Sequence, residues 1–187
     1  GQAEAWVEIP LGPAVGQCCG GYVRIRLRRA GSRELAELQG VEAAAEASLP
    51  SVLLLNETGS LSRDNMILVQ RFYHADVEDR RQKIEQLIAE KRDRIDALYR
   101  QYEPLLSDSE DRRLFEESKR TRTVFSETRG RAMELIRQGK SEEARKVIID
   151  LVFPAYEASI AAVQANVDYN TKAGMRAGGD GKRDAES

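Results

Sequence analysis

The sequence has few of the residues on which enzymes and metal sites usually depend. Its 187 residues include one histidine, His74, and two cysteines, Cys18 and Cys19, which are adjacent. Adjacent cysteines cannot join distant parts of a fold, and no second pair exists for a zinc site. A nucleophile would have to share the one histidine, and nucleotide-binding and haem-attachment motifs are absent. We therefore expect no enzyme, no cofactor and no metal, and we assign His74 no role.

Charge and hydropathy exclude further classes of protein. The 29 Lys and Arg residues against 31 Asp and Glu residues give a net charge of -2, whereas a nucleic-acid-binding domain normally has a basic excess. An apolar content of 41% argues against an acidic disordered chain. No stretch approaches 18 consecutive apolar residues and no signal peptide is visible, so we expect no membrane helix in this chain.

Composition divides the chain into three parts. Residues 1–32 are rich in glycine, and the alternating run Tyr22–Leu27 weakly predicts a strand that has no evident partner. We expect an irregular leader over 1–32, either native to the domain or joined to it, with a packed strand or helix as the alternative. Residues 33–173 form a helical domain in this interpretation, and the glycine-containing residues 174–187 form a flexible tail.

From Ser32 onward, good helix formers dominate, and the positions of capping residues, prolines and glycines predict four helices. They cover about 33–75, 77–103, 107–138 and 141–172. Pro50 predicts a kink or a fresh start in the first helix. Asp76 is the expected N-cap of the second helix, Ser107 with Glu110 forms a capping box for the third, and Gly139 ends it.

Apolar residues recur at steps of three and four along these helices, which predicts one buried face on each. Short connections make consecutive helices antiparallel neighbours. The fold class is therefore all-α, an elongated up-down-up-down four-helix bundle. The expected buried positions of the second helix are Ile84, Ile88, Ile95, Leu98, Tyr102 and Leu105, and those of the fourth are Ala144, Ile148, Leu151, Ala155, Ala158, Ala162 and Ala165.

The third helix places two arginines where apolar residues are expected. Arg122 and Arg129 share the predicted buried face and flank Phe125. A buried guanidinium is costly without an anion, so the pair forms a natural cradle for a small carboxylate, with Phe125 as its apolar wall. The alternative is that both stems follow the edge of the core while the charged groups reach water or a neighbouring glutamate.

Polar residues also line one face of the first helix. Arg63 shares this face with Asn56, Ser60, Ile67 and Gln70. Three interpretations remain open for this stripe: the wall of a ligand pocket, the contact face of a homodimer, or plain exposure to solvent.

From about Ala43 to Ala173 the chain resembles the periplasmic four-helix-bundle sensory domain of bacterial methyl-accepting chemotaxis receptors. The resemblance rests on the order and spacing of short motifs over about 130 residues. They are Leu49-Pro50-Ser51-Val52, Leu61-Ser62-Arg63, Glu103-Pro104-Leu105-Leu106-Ser107-Asp108, Arg137-Gln138-Gly139-Lys140, Phe153-Pro154-Ala155-Tyr156 and Asn166-Val167-Asp168-Tyr169-Asn170.

The resemblance implies a homodimeric sensory domain of an inner-membrane receptor that binds small amino, organic or aromatic acids. It also implies that Arg63 is a ligand-binding arginine and that the fourth helix moves on binding. Thr58 and Ile67 replace two other arginines of the aspartate-type pattern, and Ala155 replaces its threonine. These departures argue against aspartate or serine as the ligand.

The sequence thus predicts a periplasmic chemoreceptor module that recognises a small anionic molecule and performs no catalysis. Arg63, Arg122 and Arg129 are the expected anion contacts, and Phe125 is the apolar wall. Phe153 and Tyr156 are expected to report occupancy to the fourth helix. The alternative function is a helical interaction or dimerisation module without a small-molecule site, in which polar core residues set the pairing of helices.

Overall fold

A computed structural model describes residues 5–10, 22–27 and 32–184, with side chains described at residue 42 and over 48–176. The chain divides into two compact units. One comprises 44–176, and the other comprises 1–43 together with 177–187. The first unit contains the helical core and every side-chain contact discussed below.

Two strands occur in the N-terminal region. β1 (Ala5–Pro10) pairs antiparallel with β2 (Tyr22–Leu27), with Ala5 opposite Leu27 and Pro10 opposite Tyr22. The strand predicted at 22–27 is therefore present, and the expectation that it has no partner is wrong. The rest of the predicted irregular leader, residues 1–4, 11–21 and 28–31, lies outside the described residues.

The helices follow the predicted plan. They are α1 (Ser32–Tyr73), α2 (Glu78–Tyr102), α3 (Ser109–Arg137), α4 (Ser141–Val147) and α5 (Phe153–Asp184). A 3₁₀ turn, Glu103–Leu105, follows α2. A π turn, Ile148–Val152, joins α4 to α5, and we call this continuous run the fourth helix. It extends to Asp184, past the end predicted at 172, and α1 continues through Pro50 without a fresh start.

Ion pairs between helices show that neighbours run antiparallel. Between α1 and α2, Asp64 pairs with Lys91 and Glu57 pairs with Arg94. The earlier residue of α1 therefore pairs with the later residue of α2, as antiparallel helices require. Contacts of α3 with α2 and with the fourth helix follow the same inverse order. The predicted all-α four-helix bundle is confirmed.

The helix ends test the predicted caps. Gly139 adopts φ of 73°, and the amides of Gly139 and Lys140 donate to the carbonyls of Ile136 and Leu135, which is a Schellman arrangement. The predicted end of the third helix at Gly139 is confirmed. Two predicted N-caps are wrong. The N-cap of α2 is Val77, whose side chain has no hydrogen-bond acceptor, and the predicted cap Asp76 pairs with Arg80.

The N-cap of α3 is Asp108 and not Ser107. The Asp108 carboxylate accepts the amides of Glu110 and Asp111, and it also accepts the hydroxyl of Tyr169 from α5. These donors lower the pKa of Asp108, the Tyr169 hydroxyl most of all. The cap of α3 is therefore tied to the fourth helix.

The π turn changes which residues of the fourth helix face the core. It lies immediately before Pro154, whose ring would crowd the carbonyl four residues earlier in a regular α-helix. Its wider turn delays the buried face by one residue, so Val152 is buried and Leu151 is 39% exposed. Downstream, Ala155 and Ala162 are buried as predicted, whereas Ser159 and Asn166 are buried in place of the predicted Ala158 and Ala165. Leu105 of the second predicted set is exposed.

Among the described residues, one helix is long and apolar enough to cross a membrane by length and composition, Ser141–Arg176. Core helices of soluble proteins meet the same criterion. A third of its most apolar window is buried inside the bundle.

Two apolar clusters fill the core. The first contains Phe72, Ile84, Phe125, Ile136 and Val152, among others, and lies toward the α1–α2 turn. The second contains Leu55, Ile95, Tyr102, Phe115 and Val163, among others, and lies toward the α2–α3 turn. We call these the first and second clusters.

A buried polar network closes the second cluster. The Tyr102 hydroxyl donates to the Asp111 carboxylate, and its oxygen accepts from Asn170 Nδ2 at 2.8 Å. Asn166 Oδ1 lies 3.0 Å from the same hydroxyl, and Ser107 donates its amide to Asp111 Oδ2 at 3.0 Å. The network joins α2, α3 and the fourth helix and satisfies a fully buried carboxylate with neutral donors.

We expect Tyr102→Phe to lower the free energy of unfolding by about 1–3 kcal/mol, because it leaves buried polar groups without their shared partner. Urea denaturation followed by circular dichroism measures the loss. Tyr73→Phe is the matched control, since Tyr73 packs against the first cluster but its hydroxyl makes no hydrogen bond to a described residue. Equal midpoints for the two variants would contradict the importance of this network.

Candidate functional site

A small internal cavity lies where the two apolar clusters meet. Its wall includes Ile95 from the second cluster and Phe125 from the first. The remaining wall is polar and comes from three helices: Ser62 and Asn65 from α1, Arg92 from α2, and Arg122, Ser126 and Arg129 from α3. We call this space the inner cavity.

The inner cavity is small in this conformation. Its volume is about 10 Å³, which is room for about one water molecule. Three arginine side chains line this space, of which Arg129 is buried, Arg122 is partly exposed and Arg92 is exposed, and no larger group fits without rearrangement. This concentration of positive charge in a protein core is the site's main feature.

Arg129 is the most deeply buried of the three arginines, at 7% exposure. Its guanidinium lies 5.5 Å from the centre of the Phe125 ring and donates to Ser126 Oγ at 3.1 Å. No described carboxylate pairs with it. Burial, together with the smaller effects of the nearby charges of Arg122 and Arg92, lowers the pKa of Arg129 to about 10. The side chain stays cationic at neutral pH, so the core holds an uncompensated charge.

Arg122 has the environment that the alternative interpretation described. Its side chain is 21% exposed, and Nη1 lies 2.6 Å from Asp96 Oδ1 on α2. Nη2 donates to the Arg92 carbonyl oxygen at 3.3 Å, and the guanidinium lies 5.4 Å from the centre of the Tyr99 ring. Beneath it, burial raises the pKa of Tyr99 to about 12. Arg122 is thus held by α2, whereas Arg129 is not.

Arg92 is a cavity residue that the sequence analysis missed. It belongs to the run Glu90–Arg94, whose charges of mixed sign are typical of a face exposed to solvent. The spacing Ile88, Arg92, Ile95 continues the steps of four and three, and this is the signal that identifies it. Its guanidinium pairs with Asp93 at 3.0 Å, in an exposed ion pair.

α1 supplies a neutral polar wall opposite the arginines. Ser62 and Asn65 are each 2% exposed. Asn65 Oδ1 is buried and has no hydrogen-bond partner among the described residues. A buried acceptor left without a partner costs about 1–3 kcal/mol, so this wall also favours an added group in the cavity.

An open groove lies directly outside the inner cavity, between α2 and α3. It has a volume of about 380 Å³ and is lined by Arg92, Asp96, Arg122, Thr123, Ser126 and Glu127. We call it the outer groove. Arg92, Arg122 and Ser126 line both spaces, so these three side chains form the partition between the groove and the cavity.

The other predicted site residues lie elsewhere. Arg63 is exposed on α1, with its guanidinium over Gly59, and does not line the inner cavity. Tyr156 packs behind the cavity, its ring 5.7 Å from that of Phe125, and Phe153 packs against the first cluster. The structure therefore brings Arg122, Phe125 and Arg129 together, places Tyr156 one layer behind, and separates Arg63 from them.

Comparison with known proteins identifies the type of module. A family model described as a four-helix-bundle sensory module for signal transduction matches residues 40–184, which include most of the first helix and all of the next three. No curated protein matches the chain. Among the described residues, no three His, Cys, Asp or Glu side chains are grouped so as to hold a metal ion.

We expect Arg129→Met to leave the free energy of unfolding unchanged or to raise it by up to about 4 kcal/mol in the absence of ligand. Replacing a buried charge by an apolar side chain of similar volume removes its desolvation cost. Urea denaturation measures the change. Arg120→Met on the same helix is the control, since Arg120 is exposed and its ion-pair partner among the described residues is Glu117. A loss of stability confined to Arg129→Met would show that Arg129 serves the fold.

Proposed function

This chain belongs to the family of four-helix-bundle sensory modules of signal transduction, and from that premise we propose that it recognises a small anionic molecule inside a single bundle. The proposed site is the inner cavity, and the proposed ligands are organic, aromatic or amino acids. Arg129 is the principal contact, Arg122 and Arg92 complete the cationic wall, and Phe125 is the apolar wall. The family is one of receptor modules, so we propose no catalysis.

The observation that carries this proposal is the unpaired charge of Arg129. Among the other described arginines that are not exposed, Arg122 pairs with the Asp96 carboxylate, and Arg81 donates to the backbone carbonyl oxygen of Ala75. Arg129 has neither a carboxylate nor a carbonyl partner among the described residues, and donates only to the Ser126 hydroxyl. A buried guanidinium forms short, bidentate hydrogen bonds with a carboxylate, and these are among the stronger polar contacts in proteins. An incoming carboxylate would therefore supply Arg129 with the partner that the chain does not provide.

The outer groove supports a route of entry. It adjoins the inner cavity through Arg92, Arg122 and Ser126, and its volume suits a small organic acid. An acid that enters there meets Arg122 first and Arg129 deeper, with Phe125 beside it. Since Tyr156 of α5 packs against Phe125, a shift of the Phe125 ring would displace Tyr156 and with it the fourth helix. This supports Tyr156, and less directly Phe153, as residues that report occupancy.

The finer features of the receptor are also proposals. We propose that the sensory domain is residues 33–173, that it is periplasmic in an inner-membrane receptor, and that it forms a homodimer. The exposed face of α1 supports dimerisation, because Leu53 is 59% exposed and Ile67, one turn after Arg63, is 54% exposed. Arg63 is then a candidate anion contact at that face, separate from the inner cavity.

A second candidate function is the interaction module without a small-molecule site. The observation that favours it is the closed state of the inner cavity, which holds about one water molecule. In that case Arg129, Asn65 and Ser62 would serve to specify how the helices pair, as buried polar residues do in coiled coils.

The two functions are separated by thermal melts of the purified chain with acetate, succinate, L-malate, citrate, benzoate and the common amino acids. A ligand at about a hundred times its dissociation constant stabilises the folded state by about 2.7 kcal/mol. For a domain of this size the melting temperature should rise by about 5 to 10 °C. We expect such a rise for at least one acid.

Variants then locate the site. Arg129→Met should weaken binding of the stabilising acid about ten- to a hundredfold, the value of a charge-assisted hydrogen bond. Arg120→Met should leave it unchanged. Loss of binding in Arg63→Ala, with Arg129→Met unaffected, would move the site to the α1 face. A flat panel on a folded protein would favour the interaction module.

A further inference from the structure

Asp96 occupies the place that a bound anion would take on Arg122. Its Oδ1 lies 2.6 Å from Arg122 Nη1, in an ion pair that joins α2 to α3. Both partners line the outer groove, and Arg122 also lines the inner cavity. The pair therefore stands at the boundary between open solvent and the buried charge of Arg129.

We propose that Asp96 is an internal competing anion that keeps the inner cavity closed and sets the affinity of the site. This inference rests on the proposed function. An incoming carboxylate displaces Asp96 from Arg122, the Arg122 side chain moves out of the partition, and the cavity opens toward Arg129. The net free energy of binding is then the free energy of the ligand's own contacts less that of the Asp96–Arg122 contact that it displaces.

The geometry of the partition supports this mechanism. Arg122 is held by Asp96, by the Arg92 carbonyl oxygen at 3.3 Å and by the ring of Tyr99, all from α2. The contacts with the carbonyl and the ring are neutral, so Asp96 is the only partner of the three that competes with an anion for the guanidinium. Because the cavity holds about one water molecule, entry of an acid requires this side chain to move.

Asp96 also explains how two neighbouring arginines differ. Arg122 is partly exposed and paired, whereas Arg129 is buried and lacks a carboxylate among the described residues. A site with two unpaired arginines would attract any anion from solution. With Asp96 present, the charge of Arg122 is neutralised by an ion pair. A ligand displaces Asp96 favourably only if it also forms an ion pair with Arg129.

A thiol probe tests the proposal without a known ligand. In a Cys18→Ser/Cys19→Ser background, Ser62→Cys places one thiol on the α1 wall of the inner cavity. The anionic reagent sulfonatoethyl methanethiosulfonate is larger than the cavity, so it reacts only when the partition opens. Its rate is compared with that of the cationic trimethylammonium analogue, each normalised to its rate with 2-mercaptoethanol.

The expected result has two parts. The anionic reagent reacts faster than the cationic one, by about tenfold or more, because three arginines line its path. Asp96→Asn then raises the anionic rate about two- to fivefold, the range that a partly exposed ion pair is worth. Asp96→Ser gives the same increase if the effect is the lost charge and not the new amide.

Glu57→Gln is the matched control. It removes the same charge from an α1–α2 ion pair, Glu57 with Arg94 at 2.7 Å, which lies outside both spaces. The Glu57 side chain is 42% exposed and the Asp96 side chain is 41% exposed, so the two carboxylates are matched. Equal rates in Asp96→Asn and the parent, with the anionic preference intact, would overturn the role of Asp96 while leaving the proposed anion site. Absence of any anionic preference would overturn the proposed site, and the role of Asp96 with it.

Discussion

The charge of Arg129 is the constraint around which the middle of the bundle is arranged. A guanidinium at 7% exposure needs either a counter-ion or a polar surrounding, and the described helices provide the second. Ser126 and the Phe125 ring contact it directly, and Ser62 and Asn65 face it across the inner cavity. The two apolar clusters stop on either side of this layer. Replacing a buried charge by an apolar side chain of similar volume is often neutral or stabilising, so this layer gives the fold no clear gain in stability, in line with the proposed binding function.

Sequence patterns were sufficient for the parts of the fold that depend on periodicity. Steps of three and four on α3 placed Phe125, Arg129 and Ile136 on the buried face, and all three are buried. Gly139 ended α3 because only a residue that tolerates positive φ fits the Schellman position. Both inferences concern a single helix. Within one helix, the spacing of residues along the chain determines which residues share a face and where the helix ends.

Errors arose where the deciding interaction joins distant segments. Asp108 caps α3 in place of Ser107, and Tyr169 of the fourth helix also binds it. Asn166 and Asn170 are buried because Tyr102 and Asp111 offer them partners, which no local pattern reports. Arg92 was missed because it lies in a run of charged residues, a pattern that is typical of a face exposed to solvent. The separation of Arg63 from Arg129 likewise required the packed helices, since sequence gives the face of a helix but not what lies opposite.

The π turn between α4 and α5 has a consequence for comparing this chain with its relatives. A π turn contains one residue more than a regular α-helical turn. The sequence positions that face the core are therefore offset by one residue after Ile148–Val152 relative to those before it. Two relatives with the same pattern of apolar residues, one with this turn and one without, would align without a gap and still bury different side chains. Correct equivalence of Ser159 and Asn166 with positions in a member that lacks the turn therefore requires a one-residue gap at this turn, balanced by a second gap elsewhere where the two sequences have equal length.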